Sequence, residues 1–212
     1  MRGRVVRACL VAVGLVLTGC AGGPAKAPES ATLLPGPQQA PTHQVVGEAI
    51  IASLSGVSTT VRWLPQKGVE AFYEGRQGLA NPWPRQLWKD TPPTIFFLRL
   101  RNQTREEVQF DPGLASLVTQ EGKRNRPIPY EDLYMRIEDE KDASPKLVSL
   151  QATLFSRFIV IQPGGQREGL LVFPTLDPTA KHLLLELSSF YVGGRLIPGV
   201  FEFQVVRPPS TP

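Results

Sequence analysis

The 212 residues carry 23 Lys+Arg against 19 Asp+Glu, a formal net charge of +4. A hydrophobic share of 42% excludes a wholly disordered chain, and 21 Pro with 19 Gly favour strands and loops over a helical bundle. Two Cys and two His exclude a disulfide framework and leave little for a multi-histidine metal site.

Residues 1–19 have three parts: a positive head of Arg2, Arg4 and Arg7, an apolar run from Ala8 to Leu17, and the small pair Thr18 and Gly19 before Cys20. That order is the layout of a secretory signal peptide. The run is too short to span a bilayer as a helix, which needs about 20 apolar residues. Leu17-Thr18-Gly19-Cys20 resembles the lipobox of bacterial lipoproteins. The resemblance implies cleavage before Cys20, a diacylglycerol on its thiol and anchoring of the chain in the bacterial cell envelope. Ala21 stands where an Asp would favour inner-membrane retention, so the same resemblance implies the outer membrane. Several acyl chains anchor stably where one binds marginally, because each buried CH2 contributes about 0.8 kcal/mol. Cys9 then leaves with the peptide and Cys20 becomes a thioether, so the folded part keeps no thiol. The three arginines leave too, and 20 basic side chains face 19 acidic ones. A nearly neutral mature chain gives no ground for a nucleic-acid partner.

Residues 20–43 read as the lipidated Cys and a flexible Pro/Ala/Gly tether, with only Lys26 and Glu29 charged. Residues 44–212 read as a single domain. Gln44 to Leu54 and Thr59 to Leu64 are β-branched-rich runs. In Thr94 to Arg101, Phe96, Leu98 and Leu100 alternate with Phe97, Arg99 and Arg101, giving one apolar and one increasingly cationic face. Glu107 to Phe110 and Leu114 to Gln120 flank the turn Asp111-Pro112-Gly113.

Tyr130, Leu133, Tyr134 and Ile137 fall on one helix face. Ser144 and Pro145 open a second helix with a buried stripe of Leu147, Leu150, Leu154 and Phe155. Strands follow at Phe158 to Gln162, Glu168 to Phe173, Leu183 to Tyr191 and Gly199 to Val206, separated by Pro163-Gly164-Gly165 and Gly193-Gly194. The expected fold is mainly β: an antiparallel β-sandwich of eight or nine strands with two short helical insertions at an end or edge. TIFFLRLRNQT and QPGGQREGLLVFP resemble phrases of the telokin-like, immunoglobulin-like extracytoplasmic domains of bacteria. That family has no shared catalytic site, so the resemblance implies an immunoglobulin-like sandwich with a binding or structural role.

The chemistry-bearing residues form no complete catalytic set. His43 falls in the tether, His182 precedes an apolar strand, and no G-x-S-x-G elbow accompanies Ser188-Ser189. Glu138, Asp139, Glu140 and Asp142 cluster around Lys141, which suits a solvated loop better than a calcium loop. Lys123, Arg124 and Arg126 read as an exposed basic turn, and Asn102-Gln103-Thr104, formally a glycosylation sequon, as a turn.

The segment from Arg62 to Pro93 holds all three Trp, interrupted by Pro, with a short helical turn expected at Val69 to Gly75. Its rings either pack onto the sandwich or form a recognition surface. Phe72, Tyr73, Trp83 and Trp88 are therefore the candidate partner-binding residues.

The expectation is a non-enzymatic envelope lipoprotein with no catalytic residues, metal or cofactor. Cys20 holds it to the membrane, and its domain meets an envelope protein or a cell-wall component. The alternatives are a carboxylate-dependent envelope hydrolase and a carrier of small molecules or lipid in an internal cavity.

Overall fold

The computed structural model describes residues 31–83, 88–89 and 92–207. The signal peptide at 1–19, Cys20 and the tether up to residue 30 lie outside the described residues. Before the long helical region come β1 (Thr32–Pro35), β2 (His43–Val46), β3 (Ala49–Leu54), β4 (Val57–Leu64), α1 (Gln66–Glu74), β5 (Thr94–Asn102), β6 (Val108–Phe110), a 3-10 turn (Pro112–Leu114), β7 (Ser116–Thr119) and β8 (Arg124–Asn125). After them come α2 (Tyr130–Met135), α3 (Ala143–Thr153), β9 (Ile159–Ile161), β10 (Gln166–Phe173), β11 (His182–Leu187), β12 (Phe190–Val192), β13 (Arg195–Leu196) and β14 (Gly199–Val206).

The protein is mainly β. The strands form three antiparallel sheets: a front sheet in the order β1-β14-β11-β7-β8, a middle sheet β10-β5-β4-β3-β2, and a small sheet β13-β12-β6-β9. Alternation decides which face each strand buries. Ile50, Val61, Leu98, Leu100, Leu171 and Phe173 of the middle sheet meet Leu183, Leu185, Phe201 and Phe203 of the front sheet in the main core. Phe96 sits 5.0 Å from Phe203 and 6.0 Å, edge-on, from Phe173. Truncating such a ring to Ala costs about 3–5 kcal/mol. The small sheet closes one end of this core through Val108, Phe110, Ile161, Phe190 and Val192.

The part of the middle sheet formed by β10, β5 and the end of β4 is buried on its other face as well. Ile95 and Phe97 of β5 with Leu170 and Val172 of β10 join Val69, Phe72 and Tyr73 of α1, Leu133 of α2, Ile137, and Leu150 and Leu154 of α3 in a second core. Hence β5 is buried at its first five positions and alternates only from Leu98 onward, where Arg99 and Arg101 emerge beyond the helical cover. Among the described residues the chain is a β/β/α stack with three helices, the two expected insertions and α1 at the expected helical turn, and they cover a sheet face instead of capping an end or an edge. Gly169 lets the chain leaving α3 run close against the edge of β10: a Cβ there would lie 2.6 Å from Phe155 Cδ1 and 2.8 Å from Thr153 O, and Phe155 N donates to Leu170 O at 2.9 Å.

Several boundaries differ from those read in the sequence. The domain begins inside the stretch assigned to the tether. β1 pairs with β14, Leu33 is buried, Gly36 N donates to Glu202 O at 2.8 Å, and the Gln38 side-chain amide clamps the Glu202 backbone. β1 thus covers the edge β14 would otherwise expose. His43 opens β2, its ring 5.1 Å from Phe201. Gln44 to Leu54 is a hairpin of β2 and β3 turned at Gly47, whose φ is +60°. Leu183 to Tyr191 splits into β11 and β12, which enter different sheets. The α3 helix starts two residues before Pro145, with Asp142 at its N-cap position in place of Ser144.

Candidate functional site

The aromatic segment resolves toward the interior. Phe72, Tyr73 and Trp83 are 7%, 2% and 5% exposed, and Trp88 packs partly buried against the same second core. The four side chains thus pack against the helical side of the middle sheet, and Phe72 also lines the groove beside α1. The apolar side of α1 needs a partner, and the second face of β4, β5 and β10 supplies it. The Tyr73 hydroxyl donates to Thr153 Oγ1 at 2.7 Å, and the Thr153 hydroxyl donates in turn to Ser149 O. Burial pushes the Tyr73 phenol up to about 12, with the Thr153 and Trp83 side chains and the Arg76 charge opposing the shift.

What this packing leaves open is a groove of about 630 Å³ between α1 and the uncovered part of the middle sheet. Its walls include Thr60, Arg62 and Leu64 from β4, Lys67, Gly68, Ala71 and Phe72 from α1, and Phe97 and Arg99 from β5, with Glu48 and Arg76 at its margins. The alternation of β4 and β5 aims these side chains the same way: Arg62 is paired with Phe97 and Thr60 with Arg99. None of this was legible as a site in the sequence. The one available signal was the cationic face of β5.

Two guanidiniums are held in place. Arg76 Cζ lies 3.6 Å from the Phe72 centroid, and Arg99 Cζ lies 5.4 Å from that of Phe97. Both bind Glu168 of β10, Arg76 Nη2 to Oε1 at 2.7 Å and Arg99 Nε to Oε2 at 2.9 Å. Burial alone would raise the Glu168 carboxyl, but hydrogen bonds and charge from Arg76 and Arg99 bring it below the usual range. Arg62 and Lys67 have no carboxylate partner among the described residues. Four cations against Glu48 and Glu168 leave the groove with a formal net charge of +2.

The other candidates have local roles. Lys123 pairs with Asp177 at 3.3 Å, Arg124 with Glu186, and Arg126 donates to the carbonyl of Leu114, so the basic turn is committed within the domain. Glu138, Asp139, Glu140 and Asp142 are all exposed, with Glu140 facing Lys146 at 3.3 Å. Ser189 is buried and exchanges hydrogen bonds with the Asp111 backbone. Among the described residues, no group of three or more His, Cys, Asp or Glu is placed to hold a metal ion. Asn102 is 1% exposed. A second groove of about 430 Å³ lies over Pro93, Pro127, Pro129 and Pro174, and neither groove opens between the two facing sheets.

No protein-family profile matches the chain. No curated protein matches it in sequence. Among solved structures it is similar to a conserved hypothetical protein from Bacillus anthracis, known from a 2.2 Å crystal structure, at 11% identity and a TM-score of 0.31. That alignment covers 79% of this chain and 96% of the other.

Proposed function

We propose that this protein is a lipid-anchored binding module of the bacterial cell envelope, a non-enzymatic domain that presents the groove beside α1 to an envelope partner. The lipobox-like Leu17-Thr18-Gly19-Cys20 supports the anchor, and Ala21 supports the outer membrane. In this reading the two facing sheets are an elaborated immunoglobulin-like sandwich with a helical layer added. The observation that carries the binding role is the groove itself. It is concave, partly apolar and lined by Arg62 and Lys67, two cations without an internal carboxylate partner among the described residues. Ligand sites tend to be concave and largely apolar, with a few convergent polar groups. The lipid anchor raises the local concentration of the domain at the membrane, so a modest intrinsic affinity suffices. With β1 beginning at Thr32, a coil from Cys20 would span about 20 Å, which keeps the domain close to the lipid surface.

Two measurements test this. Fractionation of cells carrying Cys20→Ala tests the anchor: the variant leaves the membrane fraction, and retention there would remove the anchor from the proposal. Photo-crosslinking in native membranes, with benzoylphenylalanine in place of exposed Ala71, gives a discrete adduct that the same group at exposed Lys181 does not. Equal labelling from both positions would remove the groove.

A further inference from the structure

The geometry points to an extended acidic peptide segment of a partner protein as the occupant of the groove, an inference that rests on the binding role proposed above. Its charge and length both come from the positions of the cations. Lys67 lies in the first turn of α1 and Arg76 just past its end. Nine residues at 1.5 Å each set them about 13 Å apart along the helix. Arg62 and Arg99 line the sheet wall between them as a diagonal cross-strand pair, because Arg62 opposes Phe97 and Arg99 opposes Thr60. Diagonal neighbours lie about 7–8 Å apart. An extended chain advances about 3.4 Å per residue, so carboxylates four positions apart bridge the cations at the two ends of α1. The floor between them is Leu64, Gly68, Ala71 and Phe97, small or apolar groups that accept an apolar side chain.

The cations are also prepared for carboxylates. Arg76 and Arg99 lie over the rings of Phe72 and Phe97, and planar guanidinium forks match carboxylate geometry. Arg76 gives one hydrogen of Nη1 to Phe72 O and one of Nη2 to Glu168, which leaves a second hydrogen on each. Among the described residues Arg99 uses only Nε, toward Glu168, which leaves both terminal nitrogens as donors. The other anionic partners of an envelope fit less well. A bilayer surface is flat, whereas these cations line a concavity. A uronic-acid glycan would want open aromatic faces, and those of Phe72 and Phe97 already carry guanidiniums.

The test is fluorescence anisotropy at low ionic strength on the full lipidated chain in non-ionic detergent. The probe is the labelled pentapeptide Glu-Ala-Leu-Ala-Glu, and the control carries Gln at both ends. The acidic peptide binds at least tenfold more tightly than the control, and 0.3 M salt weakens it, since screening shortens the range of each charge. The double variant R62A/K67A, changed at two side chains outside both cores, loses at least tenfold in affinity. R195A, an exposed cation on β13, loses none. Equal binding of the two peptides, or an unchanged affinity in R62A/K67A, overturns the proposal. So does tighter groove-dependent binding of dihexanoyl phosphatidylglycerol or alginate, which reassigns the site to lipid or glycan. Failure of the peptide while Ala71 still gives its membrane adduct refutes the acidic occupant alone. Loss of both refutes the binding role of the groove.

Discussion

Asn102 stands where β5 leaves the middle sheet, and its side chain ties three segments together. Nδ2 donates to Glu106 O at 2.7 Å and to Ile161 O at 3.0 Å, while Oδ1 accepts from Thr104 N at 2.9 Å and Thr104 Oγ1 at 2.7 Å. These bonds hold the ends of β5, β6 and β9 in register where the middle and small sheets meet. In Asn102→Ala, the Thr104 hydroxyl turns to Glu106 O, which it already approaches at 3.0 Å, but the buried Ile161 carbonyl loses its donor. The orphaned carbonyl costs about 1–2 kcal/mol, and the vacated volume adds about 1 more, for an expected loss of about 2–3 kcal/mol.

Asn102→Asp is nearly isosteric, yet it turns an oxygen toward both carbonyls. Burial and those carbonyls raise its carboxyl above the usual value near 4. A folded-state value raised above the unfolded one means that the variant is least handicapped at low pH and loses stability as pH rises from about 4. Urea unfolding followed by tryptophan fluorescence at pH 4.5 and pH 8 measures both effects. A loss under about 1 kcal/mol for Asn102→Ala, or a deficit in Asn102→Asp that does not grow with pH, would refute the junction role.

Three further outcomes are expected. One of the four tyrosines should ionise near pH 12 in a 295 nm titration, and Tyr73→Phe should abolish that late phase. The stability the phenol confers is complete below its unfolded value near 10 and is lost as pH rises toward about 12. The Asp177 carboxyl is held down to about 2, first by the Thr179 hydroxyl and backbone N–H and then by Lys123. Its contribution is present above about pH 4 and lost as pH falls through about 2, so the stability gap to Asp177→Asn should narrow across that window. Ser55 and Gly56 have φ of +48° and +84° in the two-residue turn between β3 and β4. Asn adopts that conformation more readily than Ser, so Ser55→Asn should stabilise by about 0.5 kcal/mol in urea unfolding, and a destabilised variant would contradict the turn assignment.

Local signals carry much of the secondary structure. Phe96, Leu98 and Leu100 alternating with Phe97, Arg99 and Arg101 identify β5 and the side on which its cations emerge. Gly164-Gly165 and Gly193-Gly194 mark turns, and the spacing of Tyr130, Leu133, Tyr134 and Ile137 places α2 while burying Leu133 and Ile137. Pro163-Gly164 also makes sense locally, since Gly164 has a φ of +74°. In each case the cause lies within a few residues: alternation, helical spacing, or a backbone conformation that Gly allows.

The sequence by itself determined the mainly β character, the shift from a signal-like, Pro-rich N-terminus to strands, and the near-neutral charge once three arginines are set aside. Only the tertiary structure decided which residues share a surface. Thr32 pairs with Val206, from the far end of the chain, and this turns part of an apparent tether into an edge strand. The apolar runs of β5 and β10 did not reveal that helices, rather than another sheet, cover their second face. That cover draws Phe72, Tyr73 and Trp83 inward and leaves Arg62, Lys67, Arg76 and Arg99 around the groove. The physical reason is that local patterns fix which side of an element is apolar, whereas the partner that buries it is chosen by long-range pairing and by the shape of the remaining surface.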